Sequence, residues 1–218
     1  MFKDMDRNSS QENILMQNRT TRYLLSAIQA IIGWEWLMSG GNKLLSGTFP
    51  QGLANALNKG IKDNPNNWYI AFLQQTVQPH SIFYGYLIEW TEVTVGVILL
   101  SGSLILLGQP RVAGESQHRL AVAFSIAVAI AAAVAAVMAV NFHFWMGGWV
   151  IPTFNPAAPY SEGIDLDGLL PALSLVIIIA NIALIQEMTG GSLLKRFARF
   201  AHVSKAPALA QMEREQVS

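Results

Sequence analysis

Residues 81–107 read SIFYGYLIEWTEVTVGVILLSGSLILL. A run of this length crosses a bilayer, for which about 20 apolar residues suffice, yet it carries Glu89 and Glu92 well inside it. Carboxylates at that depth are costly and point to a site. At about 100° per residue both share one helix face with Gly85 and Gly96, continued by Ser81 and Ser103. That small, polar, acidic stripe has to face protein or water.

Three more runs, 23–45, 120–144 and 169–186, are long and apolar enough to span. Charged residues make up only 13 % of the 218, which is poor for a soluble globule of that size. The expected fold class is therefore all-α: an integral membrane four-helix transmembrane bundle. Between its first two spans, Leu53 and Leu57, then Trp68, Phe72 and Leu73, recur at helical spacing around an Asn- and Pro-rich breaker at 62–67. Two short outer helices, 50–58 and 67–77, are expected there, with Asn66 or Asn67 capping the second and Pro79 closing it. The third span contains AVAFSIAVAIAAAVAAVMAV, whose alanines let neighbouring backbones close up in lipid. It is expected to be the tightly packed central helix.

Net charge is zero, but the basic residues are unevenly placed. Lys3, Arg7, Arg19 and Arg22 precede the first span, Arg111 and Arg119 lie between the second and third, and Lys195, Arg196, Arg199, Lys205 and Arg214 follow the fourth. The first outer connection has only Lys59 and Lys62, and the one carrying Glu162, Asp165 and Asp167 has no Lys or Arg. The positive-inside rule then puts both termini in the cytoplasm; the membrane expected is a prokaryotic plasma membrane. Residues 1–20 form a polar N-terminal arm, 21–188 the transmembrane domain and 189–218 a basic amphipathic tail on the inner surface. No cleavable signal is expected, because about twenty polar residues precede a span too long for a signal core. The chain has no cysteine, which excludes disulfides, thiolate metal sites, iron–sulfur ligation and a cysteine nucleophile within it.

At about 1.5 Å per residue, Glu35 lies near the level of Glu89 and Glu92, and Asn181 of the fourth span reaches the same layer. Lys43 and Asn42 close the first span above them, and His143 sits near the outer end of the third. Three carboxylates in a low-dielectric interior cannot all stay charged without partners, which makes proton handling plausible chemistry. An intramembrane acid beside a cleft bearing Trp90 and other tryptophans suits the headgroup of a quinone, whose reduction consumes protons as well as electrons. The competing reading is structural. Lys43 with Glu89, or Asn42 with Glu92, can serve as interhelical polar glue, and the tryptophans as packing and interfacial belts. Two histidines, His80 and His143, without a tight motif do not make a metal or haem site, and no tightly bound metal is expected.

Ser39-Gly-Gly-Asn-Lys43-Leu-Leu at the end of the first span and Glu92-Val-Thr-Val-Gly96-Val-Ile-Leu-Leu-Ser-Gly102 in the second resemble the DoxX/DoxD family. The four-helix layout with a long first outer connection also matches, over about residues 23–188. The resemblance implies the membrane subunit of a thiosulfate:quinone oxidoreductase, with quinone as substrate and usually a second small subunit as partner. Only Lys43 and Glu92 are implied as family positions; Glu35, Glu89, Asn42, His143 and Trp90 rest on the residue reading alone. The long arm and basic tail depart from the simple family layout and suit docking to a larger membrane complex, which leaves a noncatalytic accessory subunit as the alternative. A lipid bilayer is the surrounding medium, and no nucleic-acid partner is expected.

Overall fold

The computed structural model describes residues 2–62, 64–108, 115–148 and 166–190. They form six helices: α1 (Phe2–Ser46), α2 (Phe49–Lys62), α3 (Asn67–Phe72), α4 (Ser81–Gly108), α5 (Glu115–Trp145) and α6 (Leu166–Thr189). There is no strand among the described residues. The acidic connection through Glu162 and Asp165 and the basic tail beyond Gly190 lie outside them.

Three helical stretches are long and apolar enough to cross a membrane: Asn67–Gly108, Glu115–Trp145 and Gly168–Thr189. The expected first span is not among them. Its apolar run is interrupted by Ser26 and Gln29 on the core-facing side and by Glu35 on the outer one, which makes it more polar than a lone span tolerates. The helix is nevertheless continuous from Phe2. Residues 2–20 contain neither Pro nor Gly, so nothing between the polar arm and the apolar run stops it. It ends at Gly47, whose φ of +63° is the left-handed cap that glycine adopts without a Cβ clash.

The outer helices form as expected, but their boundaries differ. Asn66 is the N-cap residue of α3, yet its side chain does not cap the helix. Its amide donates to the Gly148 carbonyl oxygen at 2.8 Å, tying the start of α3 to the end of α5. Pro79 does not break the chain from α4. It sits in a short 3₁₀ turn, Gln78–His80, after a π turn at Leu73–Val77, and the path runs into α4 with no extended residue between. Proline at the first turn of a helical segment leaves no needed N–H missing, so it opens α4 instead of closing α3.

Helix α1 packs along α4, α5 along α6, and α4 against α5 and α2. Helix α4 is therefore the hub, where the alanine content had suggested α5. The reason lies in the glycines of the α1–α4 seam: a Cβ on Gly96 would come within 2.5 Å of the Leu37 backbone nitrogen, and one on Gly40 within 2.7 Å of that of Val93. Without side chains there, the two backbones close to a distance that alanine forbids. One apolar core joins Ile32 and Trp36 of α1, Val95 and Leu99 of α4, the small residues Ala131, Ala132, Ala135 and Ala139 of α5, and Ile177 of α6. A second cluster, Leu53, Leu57, Tyr69, Leu73 and Val77, lies under the outer helices.

Candidate functional site

The buried face of α4 carries Gly85, Glu89, Glu92, Gly96 and Ser103, as the helical periodicity predicts. Glu92 is completely buried, and the end of α1 delivers its partner. Lys43 Nζ lies 2.7 Å from Glu92 Oε1 and 2.6 Å from Oε2, and donates a further hydrogen bond of 2.8 Å to Ser39 Oγ. An ammonium group has three hydrogens, so these three acceptors use all of them. The pair is asymmetric in exposure, 22 % for Lys43 against 0 % for Glu92, so that the cation is the member that meets open space.

That space is a cavity of about 390 Å³ between the outer helices and the bundle. Lys43 and Ser39 lie at its wall, with Phe49 and Leu53 of α2, Tyr69 and Leu73 beneath the cap, and Asn141, Phe142 and Trp145 from the end of α5. The ammonium also sits 5.3 Å from the Phe49 ring centre and 5.7 Å from that of Phe142, where the ring faces attract a cation. Opposite, the Tyr69 hydroxyl donates to the Asn141 carbonyl oxygen at 2.9 Å, and the Asn141 amide donates to the Val137 carbonyl oxygen at 2.7 Å. The lid is pinned by Asn64, whose amide donates to the Phe144 and Trp145 carbonyl oxygens at 2.7 and 3.0 Å. A mostly apolar chamber with a few fixed polar groups is the usual form of a small-molecule site.

Of the carboxylates proposed from sequence, Glu92 stands behind Lys43, which lines the cavity, and Glu89 lies one turn away, 3 % exposed. The predicted pairing of Lys43 with Glu89 is replaced by Lys43 with Glu92. Glu89 Oε2 is sealed from solvent with no hydrogen-bond partner among the described residues. Such a group costs free energy until a donor reaches it.

The other candidates do not converge. Glu35 lies at a suitable depth, but its neighbour Trp36 takes the inward direction at 3 % exposure, and one residue's rotation of about 100° turns Glu35 to the outer surface. The same step separates Asn42 from Lys43 and Trp90 from Glu89: Asn42 is exposed, and Trp90 stands 58 % exposed on the outside of α4. His143 is half-buried beside Phe144, with ring centres 6.0 Å apart, and does not line the cavity. Asn181 belongs to a different layer, with Gln29, Gly102 and Ser125 at the other end of the seam.

Sequence reasoning passed over Tyr69, Asn141, Phe49 and Ser39. Asn141, an amide amid the alanines and valines of α5, was one available signal and Ser39, inside the quoted Ser39–Lys43 motif, another; Tyr69 and Phe49 become visible only when α2 and α3 fold over the bundle. Gln29 was also missed, 1 % exposed with neither amide atom hydrogen-bonded among the described residues.

Fold and site together define a helical protein with membrane-type helices and a capped apolar cavity that has the cation of a partly buried ion pair at its wall. In comparisons with family models, curated proteins and solved structures, nothing matches the chain.

Proposed function

We propose that the chain is a DoxX/DoxD-like integral membrane protein, a four-helix transmembrane bundle in which α1 is the fourth span. It serves as the membrane subunit of a quinone-linked oxidoreductase that passes electrons from thiosulfate to quinone. Close packing of α1 on α4 supports the span: it shields Ser26 and Gln29 from lipid, so the helix need not satisfy a single-helix hydropathy test. The observation that carries the function is the cavity of about 390 Å³ with the Lys43 ammonium exposed at its wall and Glu92 behind it. In this reading the aromatic and aliphatic lining receives the quinone ring, and Lys43 exchanges its bond to Ser39 for a quinone carbonyl oxygen. Glu92 holds the ammonium in place, and the unpartnered Glu89 is the nearby acid able to take part in proton delivery. Both termini face the cytoplasm of a prokaryotic cell, and the cavity opens outward.

The test is thiosulfate-dependent reduction of a water-soluble quinone by the protein extracted with its membrane partners. Activity is expected in the wild type, to be lost in Glu92→Gln and in Leu53→Trp, which fills the cavity. Unchanged turnover in both variants overturns the assignment. A second reading, a noncatalytic accessory subunit of a larger membrane complex, is favoured by one observation: all three hydrogens of Lys43 are already used within the chain. A purely structural pair fixing the register of α1 on α4 looks like this too, and it predicts stoichiometric copurification with no quinone turnover.

A further inference from the structure

Helices α4, α5 and α6, and α1 from Tyr23 onward, turn Leu, Ile, Val, Trp and other apolar residues outward, as lipid-facing helices do. Away from the helix ends, Glu35 is the one exposed acidic or basic side chain on that outward surface among the described residues. It lies eleven residues before the end of α1 at Ser46, about 16 Å down the helix axis. No ion pair or hydrogen bond reaches it among the described residues, because the nearest cation on its own helix, Lys43, is committed to Glu92. A carboxylate cannot face hydrocarbon at that depth without a partner.

The surface around it has a helix-docking pattern. Leu24, Ile31 and Met38 recur every seven residues and are 62 %, 70 % and 41 % exposed, with Trp34 beside them at 59 %. Glu35 and Asn42 flank this ridge one heptad apart, both exposed. A seven-residue apolar repeat with polar residues alongside is the seam that a neighbouring helix packs into, and the flanking polar residues set its register.

We infer that this face of α1 is the intramembrane docking surface for a transmembrane helix of a different subunit, one that carries a lysine or arginine at the depth of Glu35. Charge complementarity selects this occupant. A second copy related by a two-fold axis would set Glu35 against Glu35, two like charges in a low-dielectric medium, whereas a basic helix neutralises the carboxylate and is neutralised by it. The inference rests on the membrane-bundle reading above and adds to it where the partner sits and what it must carry.

Photo-crosslinking of the full chain in its native membranes tests this, with benzoylphenylalanine replacing Trp34 and, as a control on the outward face of α5, replacing Val137. Position 34 is expected to give an adduct with a different polypeptide, whose crosslinked peptide belongs to a membrane-spanning stretch containing Lys or Arg. Glu35→Gln is expected to lower that yield at least fivefold, and Glu35→Lys combined with the partner's basic residue changed to Glu to restore it. Position 137 is expected to label lipid. An adduct at position 34 with a second copy, lipid labelling there as at position 137, or a yield indifferent to Glu35→Gln overturns the inference and leaves the cavity assignment standing. Absence of lipid labelling at position 137 overturns the membrane bundle itself. Loss of quinone turnover in Glu92→Gln is read separately and bears only on the cavity.

Discussion

The two main helix pairs are held together by different chemistry. Helices α5 and α6 bring Ala131, Ala132, Ala135 and Ala139, with Leu170 and Ile177, to the shared core, small and aliphatic groups that need only fit. The α1–α4 seam combines glycine contacts with polar links at two levels. Near one end, the Ser26 and Ser103 hydroxyl oxygens lie 2.8 Å apart and each is within donating distance of the other's carbonyl oxygen, at 3.0 and 2.9 Å, so their two hydrogens are shared among three acceptors across the seam; near the other, Lys43 clamps Glu92. In lipid, apolar packing gives helices contact without choosing among registers, whereas a hydrogen-bonded pair is satisfied in one register only. The polar seam is thus the one that fixes geometry, and the cavity lies at its end.

The largest effect expected is at the ion pair. Lys43→Met leaves Glu92 buried without its cation and should cost about 3–5 kcal/mol in reversible unfolding in detergent, with most of the loss recovered in the Lys43→Met/Glu92→Leu double variant. Equal stability of the single and double variants would break the comparison, because the charge would then be satisfied by something other than Lys43. Next comes the close approach: Gly96→Val should cost about 1–3 kcal/mol by forcing α1 from α4, while Ala133→Val, at an exposed position on α5, should leave stability unchanged within about 0.5 kcal/mol.

Smaller effects sharpen the contrast. Ser26→Ala should cost about 0.6–1.7 kcal/mol, since its partners across the seam lose a donor, whereas Ser174→Ala on α6 should cost nothing, because that hydroxyl is fully buried with no hydrogen-bond partner among the described residues. Thermal midpoints of the two variants, measured side by side, decide it. The same logic applied to Gln29, whose amide is buried and unpaired, gives Gln29→Leu a neutral or raised midpoint; a clear drop would reveal a bound water or partner satisfying the amide.

Much of this was legible along the chain. The apolar runs located α4, α5 and α6, and the i, i+3/i+4 spacing of Gly85, Glu89, Glu92 and Gly96 told which face of α4 turns inward, because that face repeats with the helix period. The resemblance of the Lys43 and Glu92 stretches singled out the two residues that meet. Glu35, Asn42 and Trp90 were misdirected for a common reason. Depth along a helix follows from counting, but facing direction changes by about 100° at each residue, so a candidate one position from a buried neighbour can point outward. Asn181 failed at a different step, since its layer depends on how α6 is displaced along α5.

By itself the sequence determined that this protein is helical, that three of its stretches are apolar enough to cross a membrane and that Glu89 and Glu92 share an inward face, since composition and periodicity act within one helix. Only the tertiary structure decided that Lys43 belongs to Glu92 and not to Glu89, that α4 is the hub, that α2 and α3 close a chamber over the pair, and that Glu35 faces away from it. Those outcomes depend on the register and rotation of one helix against another, which glycine contacts such as Gly40 against Val93 and Gly96 against Leu37 set across residues far apart in the chain.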